Sequence, residues 1–248
     1  MTQLVYEHPL NETLRTYLRL EAGLSQLRQQ ADLSDDARQQ GFFSSLFAVL
    51  ETIDRNDIRP DLLKDIERCE HAMVEWSEHP AISDDALKGQ LQLGVRMQSE
   101  LFRGNRLGGN LKDDKFLAPL RQRFLIPGGS CFFDLPQLQF WYALPLTQRL
   151  QQVQEWLQEL QLAEQAVRYV LSFIRARGQF VQEQAIAGFY QSGTEQFELL
   201  RLQYDINDGC YPTISGNRYR YAIRFMQLCD AQGRTSTDKT INFALARC

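Results

Sequence analysis

The stretch NRYRYAIRFM, residues 217–226, shows a side-chain pattern with a period of two. Successive side chains of a β-strand point to opposite faces, so this pattern predicts a strand with two different faces. One face would carry Tyr219, Tyr221, Ile223 and Phe225. The other would carry Arg218, Arg220, Ala222, Arg224 and Met226. The stretch therefore predicts a strand that is apolar on one side and rich in arginine on the other.

The same alternation occurs elsewhere in the C-terminal part of the chain. It is found at residues 200–206 and again at residues 241–245. Turn-forming stretches lie between the alternating segments, namely QSGTE, NDGCYP, SGN and DAQGR. Short strands that are separated by turns of this kind are typical of an antiparallel sheet. We therefore predict a β-domain over residues 178–248.

Upstream of Gly178 the apolar residues recur at helical spacing instead. Helix starts are indicated by Asn11, by Ser34 with two aspartates after it, by Pro60 and by Ser83 with two aspartates after it. A short helix is expected near residues 112–124 and a long one over residues 147–177. We predict a mainly helical domain formed by residues 1–125 and 147–177, and hence an α+β protein with a smaller antiparallel β-domain.

Residues 126–146 are harder to assign. IPGGS at 126–130 predicts a turn, whereas CFFDLPQLQFWYAL at 131–144 fits alternation and helical spacing about equally well. We leave both structures open for residues 131–144. We expect residues 126–146 to form a turn and strand segment that joins the β-domain.

Composition indicates an ordinary globular protein of the cytoplasm. The chain has 248 residues, of which 44% are hydrophobic and 23% are charged, with a net charge of −4. No apolar run approaches the roughly 20 residues of a membrane-spanning helix, and the first residues do not resemble a signal peptide. A net acidic chain is a poor candidate for general nucleic-acid coating. The five cysteines are widely spaced and odd in number, which favours free thiols.

The sequence offers no catalytic constellation. It contains no nucleotide-binding glycine motif and no nucleophile motif, and its three histidines are not spaced to share a metal ion. The paired aspartates at 35–36, 84–85 and 113–114 fall at predicted helix starts, where negative charge stabilises the helix dipole. We therefore assign no catalytic residue, no metal ligand and no cofactor, and we expect Trp76 and Trp156 to be core residues.

The arginine face is the strongest candidate for function. Its charges have one sign and are mixed with Ala222 and Met226, and the guanidinium group suits bidentate binding of carboxylate or phosphate. A second basic group precedes the IPGG turn and could border the same surface: Lys115, Arg121 and Arg123. The residues alone leave the anion open between a phosphate-bearing ligand, nucleic acid and an acidic peptide segment.

Several long stretches resemble a known family. These are YEHPLNETLRTYLRLE (6–21), RNDIRPDLLKDIER (55–68), RQRFLIPGGSCFFDLP (121–136), GFYQ (188–191) and YPTISGNRYRYAIRFM (211–226). Together they resemble the ZapD family of bacterial cell-division proteins, which associate with the tubulin-like protein FtsZ. The resemblance extends over nearly the whole chain.

The resemblance implies a non-enzymatic homodimer that binds the C-terminal tail of FtsZ and bundles FtsZ filaments at the mid-cell division ring. Within this family the partner-binding basic residues would lie here at Arg220 and Arg224, and also at Lys115 and Arg19. The tail is an extended peptide with acidic and apolar residues. Arg218 would add a third arginine to the site, and Trp141 would add an apolar contact.

Two other functions remain as alternatives. A nucleic-acid-binding protein could use the same arginines with Tyr219 and Tyr221 as stacking platforms, although alternation places these tyrosines on the opposite face. An enzyme acting on a phosphorylated metabolite would need acids, bases or nucleophiles near the arginines, and the sequence places none there.

Overall fold

The computed structural model of the protein describes residues 2–77, 84–104, 106–193, 197–217, 219–229 and 233–248. The chain forms two compact units. One unit comprises residues 1–18 and 171–248, and the other comprises residues 19–170. Helices and antiparallel sheets together make this an α+β fold, as predicted. Both ends of the chain belong to the first unit, which we call the sheet unit; the second is the helical unit.

Helices account for most of residues 12–177. Their bounds are α1 Glu12–Gln30, α2 Asp36–Arg55, α3 Ile58–Ser77, α4 Asp84–Arg103, α5 Gly109–Lys112, α6 Leu117–Phe124, α7 Pro136–Ala143 and α8 Leu146–Arg177. The boundaries between the units fall within α1 and α8. The expected long helix at 147–177 is thus present as one continuous helix.

Side-chain caps fix several helix starts. The Asn11 side chain accepts a hydrogen bond from the N–H of Leu14 at 2.7 Å, and Asp35 accepts one from the N–H of Arg38 at 2.8 Å. Asp114 accepts bonds from the N–H groups of Phe116 and Leu117, both at 2.8 Å. These contacts satisfy amides that have no partner within the helix. They confirm capping for Asn11 and Asp35, whereas Asp114 lies before the N-cap residue of α6 and holds the amide of that residue and the first amide of the helix.

An aromatic cluster forms part of the core of the helical unit. The Phe43 ring meets Trp141 edge-on with 5.1 Å between centroids, and Phe116 stacks on Trp156 at 6.0 Å. Phe43, Trp141 and Trp156 are all buried, and burying a large apolar side chain contributes about 1.5–3 kcal/mol. The core position predicted for Trp156 is confirmed, whereas the Trp76 side chain lies outside the described residues.

Residues 126–146 do not contain the expected strand. They form turns up to Leu135 and then the helix α7, and they belong to the helical unit. Pro136 occupies the first helical turn, where its missing N–H costs nothing, and Leu138 and Trp141 are buried. The periodicity of residues 131–144 fitted a strand and a helix about equally well. The structure shows a helix over residues 136–143, in which these two side chains are buried.

The sheet unit contains two antiparallel sheets. Its strands are β1 Gln3–Pro9, β2 Val181–Ala185, β3 Phe189–Gly193, β4 Leu199–Asp205, β5 Tyr211–Gly216, β6 Arg220–Cys229, β7 Gly233–Ser236 and β8 Ile241–Arg247. The first sheet has the order β1-β4-β8-β2. The second has the order β3-β6-β5, and β7 also pairs with β6. Alternation predicted β4, β6 and β8, whereas it did not predict β1, β2, β3, β5 or β7.

One apolar core lies between the two sheets. The Phe225 ring on β6 is 5.4 Å from Phe243 on β8 and 6.3 Å from Tyr204 on β4. Leu202 and Leu245 are fully buried in the same cluster. Strands β4 and β8 therefore both direct apolar side chains toward β6.

Strand β1 is held by charge as well as by backbone pairing. The Glu7 carboxylate accepts hydrogen bonds from Arg175 at 2.7 and 2.9 Å and from Arg201 at 2.9 Å. Burial raises the pKa of Glu7, but the hydrogen bonds and charges of Arg175 and Arg201 outweigh it, so the pKa lies below its ordinary value of 4.5. Glu7 thus joins β1 to β4 and to the end of α8.

Candidate partner-binding site

Strand β6 has the two faces that its sequence predicts. Tyr221, Ile223 and Phe225 are at most 1% exposed, whereas Arg220 and Arg224 are exposed. On the arginine side of the strand, Ala222 lies between Arg220 and Arg224, and Met226 follows Arg224. Both side chains are half-buried. The alternation is therefore confirmed for residues 220–226, and the arginines face away from the core.

Tyr219 differs from the prediction. Strand β6 begins at Arg220, and the Tyr219 side chain is 65% exposed rather than part of the apolar face. The Asn217 side-chain oxygen accepts hydrogen bonds from the N–H groups of Tyr219 at 2.9 Å and Arg220 at 3.2 Å, forming a turn. This turn removes Tyr219 from the alternating register. Arg218 lies outside the described residues.

The neighbouring strands supply the rest of this surface, which we call the arginine face. Residues directly opposite each other in a sheet share a face, so pairing with β6 identifies them. They are Phe189, Gln191 and Gly193 on β3, Tyr211, Thr213 and Ser215 on β5, and Arg234 and Ser236 on β7. None of the described strand residues on this face is an aspartate or a glutamate. The strand residues described on the arginine face therefore carry positive charge and no carboxylate that would neutralise it.

The two arginines have different surroundings. The Arg224 guanidinium lies 5.5 Å from the centroid of the Phe189 ring, a cation–π contact that restrains its side chain. Arg220 is opposite Gly193, which has no side chain to cover it. Neither arginine forms an ion pair with any residue in the described ranges. Both guanidinium groups are therefore available to an external anion.

A cavity of about 310 Å³ lies beside Arg220. Its walls come from Gln191, Ser215 and Ala222 and from the turn at 216–217. These groups are small or polar, so they leave the Arg220 guanidinium accessible and add hydrogen-bonding partners around it. The Arg220 end of the arginine face is thus a recess rather than a flat surface.

Buried hydrogen bonds support the strand from the core side. Arg247 donates to the Tyr221 hydroxyl at 2.8 Å, to the Tyr190 hydroxyl at 2.7 Å and to Glu183 at 2.8 Å. Burial raises the pKa of Tyr190 to about 12, so its hydroxyl stays protonated near neutral pH. Tyr221 is buried within this network and cannot stack on a base. The nucleic-acid alternative required Tyr219 and Tyr221 as stacking platforms, so it loses one of the two.

The other basic candidates lie in the helical unit. Lys115 and Arg19 are exposed, and neither has an ion-pair partner among the described residues. Arg123 is half-exposed and lies 3.8 Å from the Asp134 carboxylate. Lys115 and Arg19 thus keep free charge, whereas that of Arg123 is partly compensated.

Arg121 is the candidate that the structure makes least available. It contacts Glu51 at 3.0 Å and Asp54 at 2.7 Å, and its side chain is only 20% exposed. Lys112 also contacts Asp54, and burial lowers the pKa of this lysine. Arg121 therefore serves to join α6 to α2 and is a poor candidate for partner binding.

Trp141 cannot provide a surface contact in this structure. It is 3% exposed, its indole N–H donates to the side chain of Gln152, and Arg149 lies over its ring at 5.7 Å. We correct its assignment to a core residue of the helical unit. Phe189 and Arg234 were missed by the sequence reasoning; GFYQ was noted for its resemblance, but strand register decides which face each residue joins.

Three further observations bear on the kind of protein. Across the described ranges, no three histidine, cysteine, aspartate or glutamate side chains converge to hold a metal ion. Cys69, Cys131, Cys210 and Cys248 are free thiols, and the Cys229 side chain lies outside the description. None of the described helices has the length and apolar character needed to cross a membrane.

The fold and site define an α+β protein with a cationic sheet surface on which the described strand residues include no carboxylate. Comparison with known proteins shows its family. The cell division protein family ZapD matches residues 18–224. Cell division protein ZapD of Photobacterium profundum is 42% identical over 243 residues, covering 98% of each chain. The protein of the same description from Vibrio cholerae is 38% identical over 248 residues, covering both chains completely. The chain belongs to the ZapD family of cell division proteins.

Proposed function

We propose that this protein binds the C-terminal tail of FtsZ through the arginine face and, as a homodimer, bundles FtsZ filaments at the cytoplasmic division ring without catalysing a reaction. The supporting observation is the pair Arg220 and Arg224, exposed and unpaired on a strand whose described neighbours carry no carboxylate on that face. Membership of a cell-division family agrees with such a role.

The chemistry of the arginine face suits an acidic extended peptide. Arg220 and Arg224 are four residues apart on one strand, so their Cα atoms are separated by roughly 13 Å. A peptide in extended conformation could meet each with a different carboxylate. Hydrogen bonds between guanidinium and carboxylate are about twice as strong as neutral ones, and the screening length of about 8–10 Å makes such binding sensitive to salt.

Bundling requires two tail sites on one particle. A homodimer would provide them, and tails displayed along a filament would let individually weak contacts act together through avidity. Lys115 and Arg19 in the helical unit are additional contacts in this proposal, since both are exposed and unpaired within the described ranges.

The test combines charge reversal with removal of the tail. We expect Arg220→Glu and Arg224→Glu each to weaken binding to FtsZ by about tenfold or more, because each replaces an attraction with a repulsion. Cosedimentation with polymerised FtsZ and light scattering of bundles measure the effect. FtsZ without its tail should not be bundled by the native protein.

Lys239→Glu is the matched control, since Lys239 is exposed in the same unit but lies outside the strands of the second sheet. It makes the same charge change and should leave bundling unchanged. Circular dichroism checks the fold of each variant. Folded Arg220→Glu and Arg224→Glu variants that bundle normally, or bundling that persists without the tail, would contradict the proposal.

A further inference from the structure

We propose that the arginine face is a two-part site: a carboxylate-binding part formed by the recess at Arg220 and by the exposed Arg224, followed by an apolar contact at Met226 and Leu228. The inference rests on the proposed function and specifies which peptide the face selects. The required peptide has an acidic residue, a second acidic residue four positions away and an apolar residue two positions further.

The apolar part continues the same row of side chains along β6. Leu228 is 81% exposed and Met226 is half-buried, and both follow Arg224 at the two-residue spacing of a strand face. Met226 is flanked by Tyr211 on β5 and by Ser236 on β7, whose hydroxyl lies 3.6 Å from the Met226 sulfur. An exposed leucine beside a packed methionine offers apolar area that a partner side chain could cover.

Positive charge extends past the apolar part. Arg234 is exposed on β7 directly opposite Leu228. The apolar contact therefore has Arg224 at one end and Arg234 beside it, and an incoming apolar residue would need acidic or neutral neighbours. This charge complementarity favours an acidic peptide over a second copy of this arginine-rich surface.

Strand periodicity fixes the spacing in the peptide. Side chains on one face of an extended chain recur every two residues, about 6.5–7 Å. A peptide lying along β6 would place its two acidic residues at Arg220 and Arg224, with the residue midway between them over Ala222. Gln191 and Ser215 flank Ala222, so that middle position accepts a small or polar side chain. The next residue on the same face would then meet Met226.

The two-part arrangement also distinguishes a peptide from a nucleic acid. A phosphate backbone presents charge at regular intervals, and nucleic-acid bases stack preferentially on aromatic rings, which the aliphatic Leu228 does not offer. An apolar side chain of a peptide, in contrast, gains free energy by covering it. The face is therefore better matched by a mixed acidic and apolar segment than by a uniform polyanion.

Two synthetic fluorescent peptides test the spacing. The first has two glutamates four residues apart and a leucine two residues beyond the second; in the second, the leucine is moved by one position, which turns it to the opposite side of an extended chain. We expect fluorescence anisotropy to show that the native protein binds the first peptide about threefold to tenfold more tightly, the range for partial burial of one leucine.

Substitution of the apolar contact tests the location. We expect Leu228→Ser to reduce the preference between the peptides, because Leu228 borders the position over Met226, and to weaken binding of an FtsZ tail peptide without changing its dependence on salt. Ile206→Ser is the matched control, since Ile206 is 55% exposed in the same unit but lies in the 3₁₀ turn Ile206–Asp208. It should change neither measurement. Arg224→Glu, in contrast, should reduce the salt dependence.

The outcomes separate this inference from the proposed function. If the tail peptide binds with the expected arginine dependence but Leu228→Ser has no effect, the two-part site is wrong and the proposed function stands. If the native protein binds the first synthetic peptide in preference to the second but does not bind the FtsZ tail, the two-part site stands and the proposed function fails. Tighter binding of single-stranded DNA, with displacement of the peptide, would overturn the two-part site.

Discussion

At the scale of single residues, Arg247 determines how firmly the arginine strand is held. Its guanidinium contacts two tyrosine hydroxyls and one carboxylate behind β6, so Tyr221 connects the core to the backbone between Arg220 and Ala222. Removing one hydrogen-bond acceptor destabilises a protein more when the donor left behind is buried than when that donor is exposed to water. The position of Arg220 at the surface thus depends on a polar network that lies on the core side of β6.

We expect Tyr221→Phe to lower the free energy of unfolding by about 1 kcal/mol, because one hydrogen bond is lost while the ring remains packed. Urea unfolding followed by circular dichroism measures this change. Tyr6→Phe, at a position 37% exposed on β1, should have little effect. Equal stability of Tyr221→Phe and the native protein would show that the network contributes nothing to the fold.

The arginine pair was the part of the site that the sequence could predict. Alternation is a local property, so the exposure of Arg220 and Arg224 follows from residues 220–226 alone. The environment of each was not predictable, because Phe189 and Arg234 reach the face through pairing with distant residues. Tyr219 was misplaced because the turn formed by Asn217 interrupts the alternation.

At the scale of elements, β1 depends on one carboxylate. Glu7 joins Arg175 and Arg201, and the low pKa of this group means that folding favours its ionised form. A group whose pKa is lower in the folded state contributes stability above its ordinary pKa of 4.5, and this contribution is lost as the pH falls through the folded value. Acid should therefore weaken the attachment of β1.

We expect Glu7→Gln to lower the free energy of unfolding at neutral pH by about 1.5–3 kcal/mol, the usual contribution of hydrogen bonds to charged groups. The difference between the native protein and Glu7→Gln should shrink as the pH falls below 4.5, since the native carboxyl then becomes neutral as well. Urea unfolding across pH provides the measurement. A difference that stays constant down to strongly acidic pH would contradict this account.

Strand β1 could not be predicted from its pattern, and the strand expected within 126–146 is absent. Residues 3–6 are exposed on both sides of β1, so no alternation of apolar and polar residues marks the strand. Residues 136–143 contain apolar side chains all round, so periodicity could not separate helix from strand until the burial of Leu138 and Trp141 was known. Helix starts, in contrast, were predictable because capping is local.

At the scale of the whole molecule, the proposed function requires a dimer. We expect light scattering at micromolar concentration to give twice the chain mass of 28.8 kDa, with association mainly through helical surfaces in the N-terminal half. The physical reason is that one tail site per particle could bind a filament but could not bridge two. A mass of 28.8 kDa together with normal bundling would exclude the bridging account.

The division of the chain was predicted only in outline. The helical stretches and the strands β4, β6 and β8 follow from a change of period, but the membership of residues 3–9 in the sheet unit depends on pairing with residues 199–205. Such pairing joins segments that are far apart in sequence, and no local pattern reports it.

The pairing of β1 with β4 has a consequence for the order of events during synthesis. Gln3 leaves the ribosome about 200 residues before its partner Asp205, a delay of about 10–40 s at roughly 5–20 residues per second. Leu4 and Val5 stay without their partner strand throughout that delay, so the edge strand of the first sheet is made long before it can pair. Strand β8, which lies between β4 and β2, is made later still. A chain whose translation stops before Ile241 therefore lacks the strand that completes the first sheet.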